Sequence, residues 1–298
     1  MPEQLIGPSR PAEGRRARKP RIALLLVSPS VACGTPGEAR SSTPATTPAL
    51  MYAGTVGAIE RKPKLLAAAD GSYRYGLGCD LGEGSYGVVR EGIHLGTCAV
   101  VAIKTLDKRL LKKQRRGLEN LKREIHVLKL LGSHSSIVAL KDVIDIESKN
   151  KIHLVLEYMH CGDVQNVLDR APEHRLGQAQ ARRYFGGLLL ALEHCHSLGV
   201  IHKDVKPANM LLDRVGNVHL SDFGCAELLA RYKPEDTCVR TLGSPAFQSP
   251  EIATGKEEFS GFNADVWAAG VTLYQMVCGR TPFDAGERAP YARSVLLR

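Results

Sequence analysis

The sequence predicts an α+β fold, with strands gathered in its front half and helices behind. Three observations carry that expectation. The glycine-rich run Leu81-Gly82-Glu83-Gly84-Ser85-Tyr86-Gly87 leads into β-branched stretches at Val88-Val89 and Val100 to Ile103, rather than into a helix. Helical spacing then appears at Leu118, Leu121, Ile125, Leu128 and Leu131, and again over 178–196, with Ala181, Tyr184, Phe185, Leu188, Leu189 and Leu192 on one face. Between Val200 and Gly224, two apolar runs flank the turn signal Arg214-Val215-Gly216-Asn217, which makes a hairpin with acids at both ends.

Composition bounds the rest. A chain of 298 residues, 44% hydrophobic and 24% charged, has room for one large domain or two small ones and excludes fibrous or wholly disordered classes. Of the net charge of +9, residues 1–70 supply +5 (10 Lys/Arg against 5 Asp/Glu), so the basicity sits mostly outside the expected fold. Eight cysteines without a Cys-x-x-Cys pair are expected as free thiols in a reducing compartment. Residues 1–72 are expected to be a disordered basic tail, rich in Pro, Gly, Ala, Ser and Thr, with order beginning near Tyr73. Arg15, Arg16, Arg18, Lys19 and Arg21 precede the apolar run Ile22 to Val27. Six residues are short for a signal peptide and far short of a membrane span, and a solvated tail or a nuclear-import patch is expected there instead. A cytoplasmic and nuclear location follows as an expectation, and no prenylation signal or other membrane anchor is read.

The stretch from Val200 to Gly224 organises the chain. It sets His202, Lys203, Asp204, Lys206 and Asn209 in one short loop and closes on Asp222-Phe223-Gly224. Moving a γ-phosphoryl group needs a carboxylate to orient an acceptor hydroxyl and take its proton, and oxygen ligands for Mg²⁺ beside the phosphates. Asp204 suits the first role, and Asn209 and Asp222 suit the second. Asp-Phe-Gly alone is no more than a turn, but joined to His-x-Asp-x-Lys-Pro-x-Asn at this distance it resembles the protein-kinase catalytic signature. That resemblance implies ATP and Mg²⁺ as cofactors. The Lys-Pro pair resembles the serine/threonine branch, where Lys206 would contact the transferred phosphate.

The glycine run matches G-x-G-x-x-G-x-V, whose glycines let backbone N–H groups approach phosphates. Dinucleotide-binding folds use the same letters, but there the turn runs into a helix; strands on both sides make this a hairpin over ATP, formed by Leu81 to Gly87 and Val89. Lys104 ends the apolar strand Val101-Ala102-Ile103 and can reach the α- and β-phosphates. Its carboxylate partner should lie on the next helix, at Glu124, with Glu119 the less favoured alternative. The run Lys108, Arg109, Lys112, Lys113, Arg115 and Arg116 lacks interleaved aromatics and any nucleic-acid fold motif, so no nucleic-acid partner is expected. His194-Cys195-His196 cannot share one tetrahedral metal site, because residues two apart on a helix diverge.

By the kinase resemblance the fold is two-lobed, with an antiparallel sheet and one helix over about 73–157 and a mainly helical lobe over about 158–283. The resemblance also implies Leu156 as gatekeeper, the backbones of Glu157 and Met159 at adenine, and Asp163 at the ribose. Packed spines would run through Leu128, Leu140, His202 and Phe223, and through Val89, Ala102 and Leu211.

Glu235-Asp236-Thr237-Cys238, Gly243-Ser244-Pro245-Ala246-Phe247-Gln248, Pro250-Glu251-Ile252-Ala253, Phe259-Ser260-Gly261-Phe262 and Gly270-Val271-Thr272-Leu273-Tyr274 resemble the liver kinase B family, as does Lys203 in place of the usual arginine. That resemblance implies activation-loop threonines of AMP-activated-kinase-type kinases as protein substrates. It also implies control by a STRAD-type pseudokinase and an armadillo-like scaffold. Ser249 before Pro250-Glu251 and Phe223 in Asp-Phe-Gly depart mildly from the family pattern. Asp284 to Arg298 departs more: it supplies no long amphipathic helix, and the family's later helices, with the arginine that normally pairs with a buried Glu251, are not matched. Two functions are therefore expected in competition: an active serine/threonine kinase, or a truncated and catalytically weak form that serves as a binding partner or has no function of its own.

Overall fold

The computed structural model describes residues 64–67, 71–84, 87–114, 116–229, 236–238, 243–255 and 258–283. The first lobe is one six-stranded antiparallel sheet with two helices: β1 (Lys64–Ala67), β2 (Tyr73–Gly84), β3 (Gly87–His94), β4 (Val100–Asp107), α1 (Lys108–Lys112), α2 (Gly117–Leu131), β5 (Leu140–Ile146) and β6 (Lys151–Glu157), with strand order β1-β2-β3-β4-β6-β5. Alternation along β4 sorts its side chains between two faces. Val101 and Ile103 pack outward with Leu66, Tyr75, Ile144 and Val155. Leu106 packs inward with Leu111, Leu121, Ile152 and Leu154, beneath α2. Ala102 and Lys104 share that inner face, and this places the lysine on the side of the helix that carries Glu124.

Order begins earlier than the expected boundary after residue 72. β1 pairs antiparallel with β2, Leu65 opposite Gly76 and Leu66 opposite Tyr75, and Leu66 is only 4% exposed. A four-residue strand inside a Pro- and Ala-rich stretch has no period to read. What orders it is the outer face of the sheet, which Leu66 covers.

The second lobe contains α3 (Val164–Arg170), α4 (Gln178–Ser197), β7 (Val200–Ile201), β8 (Met210–Leu212), β9 (Val218–Leu220), β10 (Glu227–Leu228), β11 (Thr237–Cys238), α5 (Pro250–Ala253), β12 (Phe259–Ser260) and α6 (Gly261–Cys278). β8 pairs with β9, β10 with β7, and β11 with β12, all antiparallel. The core joins Leu168, Leu188, Leu192, Leu212, Leu220, Phe223 and Met276 to Val127, Leu128 and Leu131 of α2, so one apolar cluster spans both lobes. α6 starts where the Ser260 side chain accepts from Asn263 N–H at 3.1 Å, and it ends at Gly279 in the left-handed region, φ 74°.

β5 begins only at Leu140, although Ile137 and Val138 before it are apolar enough to extend a strand. The preceding residues send their backbone bonds to the hairpin of the second lobe: Val138 N–H donates to the Leu220 carbonyl at 3.0 Å and Leu220 N–H to the Ser136 carbonyl at 2.8 Å. Glu251, expected as a buried carboxylate, is only half-buried, which reduces the cost of its having no ion pair among the described residues.

His153 lies buried between strands, its Nδ1 2.9 Å from Thr105 Oγ1. Burial, with Lys151, Lys149 and Arg90 nearby, pushes the imidazole down to about 4. The unfolded chain binds this proton below about pH 6.5 while the fold refuses it until about pH 4, so stability is lost as pH falls through that window. At about 1.4 kcal/mol per pH unit, the loss reaches roughly 3 kcal/mol. Urea denaturation at pH 7 and at pH 4.5 should show this difference in the native chain and a clearly smaller one in His153→Gln.

Candidate active site

The loop from His202 to Asn209 is shaped from beneath by one carboxylate. Asp265 on α6, 1% exposed, accepts from His202 N–H through Oδ2 and from Lys203 N–H through Oδ1, each at 2.8 Å, while His196 Nε2 lies 2.9 Å from Oδ2. Those bonds hold Lys203 at φ 66°, a left-handed conformation that a lysine seldom adopts. The His202 ring is fully buried. Its Nε2 meets the Ser221 carbonyl at 2.9 Å, its Nδ1 accepts from Asp204 N–H at 3.2 Å, and the ring stands T-shaped to Phe223 with centroids 4.9 Å apart.

Asp204 is thereby aimed into a polar cluster. Its Oδ2 accepts from Lys206 Nζ at 2.8 Å and from Asn209 Nδ2 at 3.1 Å, and its Oδ1 accepts from both the N–H and the hydroxyl of Ser244 at 2.9 Å. Lys206 Nζ also donates to Ser244 Oγ at 2.7 Å. A hydroxyl that donates to Asp204 and accepts from Lys206 sits here, as an acceptor hydroxyl would have to. Gly243, φ 105°, permits this approach, since a Cβ there would run into the Lys203 carbonyl.

Lys104 joins the lobes. Its Nζ donates to Glu124 Oε1 at 2.7 Å and to Asp222 Oδ1 at 3.4 Å. Glu119, the alternative partner, faces Arg116 at 3.7 Å instead. Burial would lower the lysine's pKa, but the carboxylates of Glu124 and Asp222 outweigh it and raise it. Burial would raise that of Asp222; Lys104, His202 and hydrogen bonds outweigh it and hold the carboxyl below its usual range. Both groups therefore stay charged near neutral pH. Ser221 N–H donates to the Asn209 carbonyl at 2.9 Å, which sets Asn209 beside Asp222. Asn209 spends its amide N–H on Asp204, so its amide oxygen remains as an acceptor next to the half-exposed Asp222 carboxylate. Two hard oxygen donors fit Mg²⁺, which keeps waters and takes its other ligands from phosphates.

The residues assigned to nucleotide form a strip along the inner face. Val89 pairs with Lys104, Ala102 with Leu156, and Leu211 bridges Asp163; Val89, Ala102, Leu156, Met159 and Leu211 are all half-buried. Glu157 N–H donates to the Ala139 carbonyl at 2.9 Å, tying it into the first lobe. Asp163 caps α3, accepting from Asn166 N–H at 2.7 Å. Leu81, Gly82 and Glu83 are exposed on β2, and Gly84 pairs with Gly87. At Gly87 a Cβ would collide with the Thr105 carbonyl, so only glycine fits. Ser85 and Tyr86 lie outside the described residues, as do Glu235 and Thr241 of the activation segment and the basic tail before residue 64.

Residues 75–296 match the protein kinase domain family. This chain belongs to that family. Its kinase domain is of the liver kinase B type, being 46% identical over 211 residues to serine/threonine-protein kinase STK11 of Homo sapiens, a match covering 71% of this chain and 48% of that protein. The Xenopus laevis protein of the same name is 44% identical over 211 residues, with the same shares, and serine/threonine-protein kinase par-4 of Caenorhabditis briggsae is 38% identical over 224 residues, covering 75% of this chain and 34% of par-4. The chain thus spans about half the length of the STK11 relatives it matches. No helix among the described residues of the kinase domain is long and apolar enough to cross a membrane.

Three residues of this kinase site escape sequence reasoning. Ser244 stands far along the chain from the Asp204 it contacts. Glu227 receives Lys203 Nζ at 2.9 Å, and the lysine side chain is 3% exposed, 5.7 Å over the Phe259 ring. A lysine where an arginine is usual was the signal that a compact acidic partner was needed there. Asp236 accepts from Phe262 N–H at 2.9 Å and from the Ser260 hydroxyl, so the family-like runs 235–238 and 259–262 turn out to be bonded to each other through β11 and β12.

Replacing Asp265 with asparagine sets an amide N–H₂ against backbone N–H donors. Chemical denaturation of Asp265→Asn should show a loss of about 2–4 kcal/mol. A variant as stable as the native chain would mean that this carboxylate does not hold the loop.

Proposed function

We propose that this chain is an ATP-dependent serine/threonine protein kinase that transfers the γ-phosphoryl group of Mg·ATP to protein hydroxyls. We further propose that activation-loop threonines of AMP-activated-kinase-type kinases are its targets. The observation that carries the proposal is the bridge from Lys104 to both Glu124 and Asp222, beside an Asp204 already in contact with a hydroxyl and a lysine. Lys104 would hold the α- and β-phosphates while Glu124 keeps its side chain extended. Asn209 and Asp222 would hold Mg²⁺, which supplies neutralisation of charge developing on the phosphates. Asp204 would orient the acceptor hydroxyl and take its proton, and Lys206 would face the phosphoryl group in transit.

Control by a STRAD-type pseudokinase and an armadillo-like scaffold is part of the proposal, as is action in the cytoplasm and nucleus. Support for partner control comes from Lys203. Its ammonium is buried against Glu227 and offers no open cationic site to an activation-loop phosphate. The segment is anchored instead by Asp236 and the β11–β12 pair, so a bound protein is the natural source of any further order.

Two measurements test this. Mg·ATP should raise the thermal midpoint of the native chain and of Asp204→Asn, and should fail to do so for Asp222→Ala. With both partners present, transfer to an AMP-activated-kinase activation-loop peptide should fall by about 10²–10⁴-fold in Asp204→Asn, while Thr237→Val should stay near native activity. Nucleotide binding without transfer, even with partners, would favour the binding-partner function.

A further inference from the structure

The exposed side of α4 holds a feature that phosphoryl transfer does not use. Ala179, Arg182, Arg183, Gly186 and Leu190 succeed one another at helical spacing and line a groove of about 610 Å³. Its opposite wall is Ser135 and Ser136 together with Asn217 of the β8–β9 turn. The two glycines in this helix differ. At Gly187 a Cβ would stand 2.9 Å from Val218 Cβ, so helix and hairpin pack closely there and the small residue is explained. At Gly186 a Cβ would meet nothing within 4 Å. Glycine is the poorest helix former after proline, and no contact within the described chain calls for it at that point. It leaves open space in the floor of the groove.

The walls have a definite chemistry. Leu190 is 54% exposed beside that space. Among the described residues Arg182 makes no ion pair or hydrogen bond, and Arg183 gives one nitrogen to the Val215 carbonyl at 2.6 Å and to Asn217 Oδ1 at 3.1 Å and has no carboxylate partner. No lining residue is acidic. α4 has no acidic residue in its first turn and no side-chain cap, so its positive end adds to the two arginines.

We propose that this groove docks a linear segment of a partner protein in which acidic residues are followed by apolar ones. The carboxylates meet Arg182 and Arg183, and an apolar side chain enters the space over Gly186 against Leu190. Segments 1–70 and 284–298 of this sequence have the wrong charge for it. Residues 1–70 carry 10 Lys/Arg against 5 Asp/Glu, and residues 284–298 carry three arginines against Asp284 and Glu287.

Fluorescence anisotropy of the full chain tests the docking site with a fluorescein-labelled peptide bearing two glutamates followed by Leu-Ala-Leu. Arg182→Glu and Gly186→Leu should each weaken binding by about tenfold or more. Neither should lower the thermal midpoint, and both should keep the rise produced by Mg·ATP, which separates this proposal from that of the kinase site. The same peptide with lysines for glutamates, or serines for leucines, should bind at least as weakly as the variants. Absence of binding by the acidic peptide, unchanged affinity in either variant, or equally tight Arg182-dependent binding of a short single-stranded DNA would overturn the proposal.

Discussion

The buried carboxylate of Asp265 is the constraint on which the rest of the site depends. It fixes the two backbone N–H groups of His202 and Lys203 and one ring nitrogen of His196, and so determines the direction in which the next residue points. A charge taken from water is tolerated when its oxygens are satisfied, and here three donors surround it. The left-handed turn at Lys203 follows, and with it the position of Asp204 above the helix. α6 therefore acts as a rigid base. Its own placement comes from capping by Ser260 and from close contact at Gly261, where a Cβ would strike Ile201 and approach Cys238 Sγ to 2.9 Å. The sequence of causes runs from a tightly packed helix start, through one carboxylate, to the orientation of Asp204.

The second dependency is between the lobes. Lys104 stands on the sheet, Glu124 on α2 and Asp222 at the end of the hairpin, and the three meet only if the lobes are apposed. Apposition has an apolar cause. Leu128 and Leu131 of α2 share a cluster with Phe223 and Leu220, and the backbone of 136–138 is bonded to the same hairpin. Burial of these side chains, worth roughly 25 cal/mol for each Å² of apolar surface, stabilises the arrangement whether or not nucleotide is present. Lys203 and Glu227 extend the same logic to the activation segment. A buried ion pair of this kind gives orientation rather than much net stability, and it fills with the chain's own carboxylate the place from which a cation could otherwise bind phosphate.

Legibility in the sequence followed the range of the interactions. The loop from His202 to Asn209 and the hairpin to Asp222 were readable because their chemistry is local: the acids, the lysine and the turn residues are neighbours in the chain. α2 and α4 were readable from their apolar period, to within a residue or two at each end. β1 was not, because four residues hold no period and only the exposed outer face of the sheet gives Leu66 a place to go. The start of β5 could not be read from apolarity, because Ile137 and Val138 are apolar enough for a strand, yet their partners lie in the other lobe. Ser244, 40 residues from Asp204, and Glu227, 24 residues from Lys203, could be found only in three dimensions. Segments 235–238 and 259–262 were each picked out by family resemblance, but nothing in the letters said that Asp236 would bond to the start of α6.

α4 brings these strands of reasoning together, since one helix answers to two different requirements. Its inner face, through Leu188, Leu192 and Cys195, is built for burial, and desolvation there pushes the Cys195 thiol up to about 12, so it serves as an inert apolar group. The outer face obeys no such rule. A leucine left half in water, an arginine without a partner among the described residues and a glycine costing roughly 1 kcal/mol relative to alanine are each ordinary alone. Their occurrence at successive positions on one face of one helix is harder to assign to folding, because each detracts from or adds nothing to the stability of the isolated lobe. Residues that do not serve the fold where the helix is otherwise well formed are the ones a binding surface requires, and the groove beside the β8–β9 turn is where they converge.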